Sequence, residues 1–258
     1  MNIIDEKEQF ERYLLDQEKE FRGWSFNYLT RHNRMKEFPL SWNYYNEIVD
    51  YYSHANSLLD MGTGGGEFLS SLTFLPKDTC ATEGYKPNIK EAKKRLEPLG
   101  INVFSVEEDT ALPISSERFD LIINRHESFS SLEIMRILKP KGYFITQQVG
   151  GLNDIDLNLL LGANSNQYED WNLDKASESL RSCGLELKKL KEDKVKTRFY
   201  DIGAIVYYLK AIPWQIPDFS VKKYYKELFN IHKFIRKQGY IDLICHRFFI
   251  IAQKGKKK

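Results

Sequence analysis

Cysteine is scarce in this chain: three among 258 residues, Cys80, Cys183 and Cys245, far apart and with no C-x-x-C pair. That spacing suggests neither a zinc site nor a disulfide framework, and it points to a reducing compartment. Long apolar runs are also missing; none approaches the ~20 residues that span a bilayer. The N-terminus, MNIIDEKEQF, is charged from Asp5 onward and lacks the apolar core of a signal peptide. No charge predominates either. Lys and Arg total 38, Asp and Glu 36, for a net charge of +2, which implies no strong attraction to nucleic acid. The closing GKKK reads as a solvated tail. These absences leave a cytoplasmic protein with no membrane partner and no metal. What the chain does have is 42% hydrophobic residues, enough for a sizeable core, and a length suited to one α/β domain with additions.

The stretch Ser57 to Leu69, SLLDMGTGGGEFL, organises that domain. A short apolar strand ends in Asp60, and Gly62, Gly64, Gly65 and Gly66 precede a helix-like segment. Glycines serve where the backbone must take φ > 0 or approach a ligand closely. Strand, glycine turn and helix N-terminus together make a nucleotide cradle in doubly wound folds. A dinucleotide fingerprint G-x-G-x-x-G from Gly62 would need glycine at 67, where Glu67 stands, so an NAD-dependent oxidoreductase is set aside. Glu83 closes the next strand, TCATE, about twenty residues past the loop, where an acid binds a ribose hydroxyl pair. A third strand spans 101–106, a fourth 120–124 and a fifth 143–149. Asn124, Arg125 and His126 fall at the fourth strand's carboxyl end, where open α/β sheets bind ligands. There His126 is open to two readings, a base for an acceptor proton or a cap on the following helix.

The spacing D-x-G-x-G-x-G from Asp60 to Gly66, then Leu112-Pro113, Phe119-Asp120 and LEIMRILKPKGYFIT, resembles the class I S-adenosylmethionine (SAM)-dependent methyltransferases, type 11-like in particular. The resemblance covers about residues 45–192 and the last strand, RFFIIAQ. It implies a Rossmann-like α/β fold with a seven-stranded sheet in the order 3-2-1-4-5-7-6, the seventh antiparallel and helices on both faces. It also implies a SAM site formed by Asp60, Gly62, Thr63, Gly64, Gly66, Glu83, Gly84 and Asn124, with Glu108 or Asp109 at the adenine. Asp109 departs from the family pattern, so either acid remains open, Glu108 being favoured by register.

Outside that core, residues 5–21 read as an amphipathic helix capped by Asp5 with Glu8. Residues 22–46 interleave aromatic and basic residues, among them Arg22, Trp24, Phe26, Tyr28, Arg34, Trp42 and Tyr44. They suit base stacking, a helical layer on the sheet, or an N-terminal lid. Gly150-Gly151 and 153–165 read as a mobile connection with a short helix. The Gly of Lys139-Pro140-Lys141-Gly142 is expected to supply the turn's special φ. Residues 199–246 form an insertion before the last strand: an amphipathic helix, the break AIPWQIPDF, and a helix opening at Ser220. It is expected to wall the acceptor pocket with Trp214, opposite a lid of residues 1–46, with His126 and Arg125 as candidate catalytic residues. The chain is thus read as a single domain transferring a methyl group, most readily to a small molecule. An RNA base methyltransferase and a non-catalytic SAM-binding regulatory protein are the alternatives.

Overall fold

The computed structural model describes residues 5–21 and 25–256. Residues 1–4, Arg22 and Trp24 of the aromatic-basic stretch, and the last two lysines of the tail lie outside the described residues.

The strand Ser57–Met61 is buried at every position, as a strand covered on both faces must be. Chain order makes it β2, after a short β1 at Met35–Glu37. Then come β3 (Asp78–Glu83), β4 (Asn102–Ser105), β5 (Phe119–Arg125), β6 (Leu138–Val149), β7 (Leu185–Phe199) and β8 (Ile241–Lys254). They form one eight-stranded sheet in the order β1-β7-β8-β6-β5-β2-β3-β4. This corrects the expected seven strands. The added strand is β1, which pairs antiparallel with residues 197–199 from within the segment read as a helical lid. Pairing is parallel from β4 through β3, β2 and β5 to β6, and β8 lies antiparallel on β6. Strand β2 has β3 on one side and β5 on the other, so the winding reverses there. Such a reversal opens a crevice at the strands' carboxyl ends.

The chain divides into two compact units. Residues 41–149, 171–192 and 247–258 carry most of the parallel sheet, around Leu59, Ile122, Ile134, Phe144, Leu180 and Phe248. In this unit the turn before β6's main run departs from expectation. Lys141, not Gly142, takes the left-handed φ of 66°. Gly142 is required for space, since a Cβ there would lie 2.9 Å from the Lys139 carbonyl oxygen and 3.1 Å from that of Asp120.

The other unit comprises residues 1–40, 150–170 and 193–246. The segments read as lid and insertion therefore share one hydrophobic cluster, with Phe10, Leu29, Phe199, Ile205 and Leu228 at its centre. The helix Ile202–Ala211, expected to be amphipathic, is buried everywhere except Lys210. A helix apolar all round belongs inside. Asp201 caps it by accepting the Ala204 N–H at 2.8 Å, and also takes a paired hydrogen bond from Arg34. Arg34 binds Asp16 too, so one guanidinium bridges two carboxylates that side-chain packing leaves little exposed. Phe26 and Tyr28 pack on Tyr208 and Tyr207, so packing accounts for these two aromatics. The helix Glu6–Leu14 is shorter than read, and Asp5 makes no side-chain cap bond there. The helix expected from Ser220 begins at Tyr225. The connection after β6 is packed: Leu157 and Leu161 of the helix Ile155–Leu161 enter the cluster. Among the described residues no helix is long and apolar enough to cross a membrane.

Candidate functional site

The glycine turn leaves β2 at Asp60, a side chain 5% exposed. Its carboxylate accepts the Thr63 hydroxyl at 2.7 Å. Burial pushes this acid up to about 6, with Glu83 acting the same way, while Thr63 and Arg125 oppose the rise. Gly62, Gly64 and Gly66 all have positive φ, at 65°, 62° and 80°. The turn is tied to β3: Thr63 N–H reaches the Thr82 carbonyl at 2.9 Å, and Gly62 N–H the Thr82 hydroxyl at 3.3 Å. At the end of β3, Glu83 is 3% exposed and accepts the backbone N–H of Tyr85 at 2.7 Å. Burial raises its pKa, and the backbone N–H groups of Tyr85, Gly64 and Gly84 counter the rise. The glycine turn is thus bonded to Thr82, the residue before Glu83, by Gly62 and Thr63. A Cβ built on Gly64 would meet nothing within 4 Å, so the backbone there faces open space.

Past β4, the two acids separate. Glu108 is exposed, and its carboxylate accepts the nearby Thr110 hydroxyl at 3.3 Å. Asp109 is half-buried and accepts the Ser128 hydroxyl, which links it to the end of β5. Both line an open groove of about 850 Å³ with Phe129, Leu132 and Cys183.

At the end of β5, Asn124 is fully buried. Its Oδ1 accepts from both Thr146 Oγ1 at 2.9 Å and Gln148 Nε2 at 2.7 Å, and its Nδ2 has no hydrogen-bond partner among the described residues. A buried amide donor without a partner is costly, at about 1–3 kcal/mol. Arg125 follows, its guanidinium 4.6 Å from the Phe68 ring centroid. Next comes His126, in a left-handed conformation with φ 68°. Protein atoms crowd its ring although the residue keeps exposed surface. Lost hydration, then Arg247 and Arg125, hold its pKa well below the ordinary histidine range.

Sequence reasoning missed four residues here. Glu127 lays its side chain against Gly62, and burial, then Asp109 and Glu83, push its carboxyl up to about 7. Only its place two residues past the strand end hinted at this. Tyr44, read as part of the aromatic stretch, donates to the Asn124 carbonyl at 3.1 Å. Trp42 and Gln147 connect to His126 through side-chain hydrogen bonds. Trp214 belongs to the other unit and is 40% exposed. The following Gln215 holds that loop by exchanging hydrogen bonds with Asn158. Among the described residues no group of three or more His, Cys, Asp or Glu could hold a metal ion.

A glycine turn at the reversal of a parallel sheet, followed by an acid at the end of the next strand, defines the class as a Rossmann-like α/β fold. The family model described as a methyltransferase domain matches residues 59–146. Solved structures agree on the fold. A candidate methyltransferase from Bacillus halodurans has a TM-score of 0.60 at 16% identity, over 82% of this chain and 98% of that one. The [4+2]-cyclase SpnF has a TM-score of 0.52 at 15% identity, over 82% of this chain and 80% of its own. Phosphoethanolamine N-methyltransferase 2 of Haemonchus contortus, solved with SAM, has a TM-score of 0.50 at 14% identity, over 83% of this chain and 53% of its own. No curated protein matches the chain in sequence.

Proposed function

We propose that the protein is a SAM-dependent methyltransferase of the cytoplasm whose acceptor is a small molecule. The observation that carries this reading is the buried Glu83 carboxylate next to Thr82, the β3 residue to which the glycine turn is bonded, with open space at the Gly64 backbone. The residues fit the cofactor: the turn offers open backbone at Gly64, and Asn124 offers a buried donor lacking an acceptor. Asp60, Gly62, Thr63, Gly64 and Gly66 would hold the cofactor's methionine end, Glu83 and Gly84 the ribose, and Glu108 or Asp109 the adenine. Asp109 is favoured by its link through Ser128 to the end of β5. When bound, SAM supplies an electrophilic methyl group on a sulfonium. The chain's own residues then have to align an acceptor and exclude water. His126 and Arg125 are proposed to meet that acceptor, as is Trp214 of the insertion 199–246.

Calorimetry tests the cofactor. SAM and S-adenosylhomocysteine should bind and NAD should not; tight NAD binding without SAM heat would sink the proposal. Incubation with methyl-labelled SAM and fractionated cell extract would then locate the acceptor, an RNA base included. The cyclase neighbour favours one second reading, since the same fold serves a protein named for cyclisation: a SAM-binding protein that transfers no methyl. Binding without label transfer to any fraction would select it.

A further inference from the structure

We infer that Trp42 and Gln147 hold His126 as a neutral imidazole with its proton on Nδ1, a hydrogen-bond donor toward the methyl acceptor and not a base for it. The role toward an acceptor rests on the methyltransferase reading; the state of the ring does not.

The assignment follows from donors that cannot accept. The Trp42 indole Nε1–H only donates, and it lies 2.8 Å from the Gln147 side-chain oxygen. That contact fixes which way the Gln147 amide points. Its NH2 group therefore faces the imidazole, with Nε2 to Nε2 at 2.8 Å. An amide NH2 has no lone pair to give, so the ring nitrogen opposite it must accept. A neutral imidazole whose Nε2 accepts carries its proton on Nδ1. Gln147 grips the same residue a second time, since its carbonyl accepts the His126 N–H at 2.7 Å. This backbone bond accompanies the left-handed φ of 68°, which few residues other than glycine adopt. Trp42 and Gln147 are each 7% exposed, so water does not readily replace either partner.

Charge works in the same direction. Arg125 precedes the ring on β5, and Arg247 approaches it from β8. The neighbouring carboxylate, Glu127, is turned to Gly62. A second ring proton would set an N–H against an N–H and add a charge that Arg247 and Arg125 repel. The lone pair that a base requires is thus engaged, and the remaining ring nitrogen can only give a hydrogen bond. The acceptor molecule this suits carries a hydrogen-bond-accepting oxygen, such as a carboxylate or carbonyl, near the methylated atom. Its nucleophile needs no proton removed by this histidine.

The test is long-range proton–nitrogen NMR of the ¹⁵N-labelled full chain from pH 5.5 to 8, with His126→Gln identifying the signal. The expected spectrum is a neutral Nδ1–H ring across the range. In Gln147→Glu the amide donor becomes a carboxylate, so the ring should take its proton on Nε2 and titrate about one pH unit or more higher. Either an Nε2–H tautomer or titration near 6.5 in the parent protein would overturn the inference, and the parent spectrum decides even if the variant does not fold. SAM calorimetry succeeds or fails independently of this spectrum, so the two readings can fail separately.

Discussion

Glu127 lies across Gly62: a Cβ added to that glycine would fall 2.4 Å from Glu127 Cβ and Cγ. No side chain fits between them, and the φ of 65° disfavours one as well. Gly64 has a similar φ, yet open space where its Cβ would be. Gly64→Ala should therefore cost only the left-handed strain, about 1–2 kcal/mol, and leave the fold intact. Gly62→Ala should cost more, because it must also displace Glu127. Urea denaturation of both variants checks the order, and equal losses would show that Glu127 yields freely.

Glu83 should carry much of the cofactor affinity. A charged hydrogen-bond acceptor of this kind contributes about 1.5–3 kcal/mol, or roughly ten- to a hundredfold in binding. Glu83→Ala should weaken SAM by that factor in calorimetry. Because Glu83 also accepts the Tyr85 N–H, Glu83→Gln is the companion variant, expected to fold better and still bind more weakly. Parent-like SAM affinity in both would remove Glu83 from the site.

Glu127 should make stability depend on pH. Its folded pKa, about 7, exceeds the ordinary value of 4.5, so the native state binds more protons between those limits. Stability should then fall as pH rises from about 4.5 to 7 and level off above. Glu127→Gln removes this penalty. Its melting temperature should match the parent's near pH 5 and exceed it at pH 8, by the equivalent of about 1–3 kcal/mol. Parallel melting curves at both pH values would contradict the placement of this side chain.

Arg34 should be a strong stability determinant of the unit that contains it. Arg34→Leu leaves Asp16 and Asp201 facing each other without a cation, and breaking a largely buried ion pair costs about 3–5 kcal/mol. Chemical denaturation followed by tryptophan fluorescence would report it. A loss below 1 kcal/mol would mean that water solvates the two carboxylates.

Trp214 separates an acceptor role from a cofactor role. Trp214→Ala should lower turnover or raise KM once an acceptor is known, while SAM affinity stays close to the parent value. Parent-like turnover would place the acceptor elsewhere.

The parallel strands and their glycine turn were legible from sequence because their determinants are local. Leu58, Leu59 and Met61 give SLLDM its apolar character, the following glycines take φ values that other residues avoid, and Glu83 sits one strand further on. The Leu-Pro, Phe-Asp and L-K-P-x-G order needed no coordinates either. Even the packed helix Ile202–Ala211 was visible as a helix, though its burial on every side was not, because burial belongs to the neighbours. Tertiary structure decided the rest. It added β1 as an edge strand at Met35–Glu37, a run too short to show a period and defined only by its partner, residues 197–199. It gave the left-handed turn to Lys141 and close quarters to Gly142, because carbonyls of Lys139 and Asp120 approach there. It joined Arg34 to Asp201 across 167 residues. It also brought Trp42 to Gln147, 105 residues away, and Gln147 to His126, 21 residues back. A histidine's identity is written in the sequence. Which of its nitrogens holds the proton is set by hydrogen bonds whose partners only folding brings within reach.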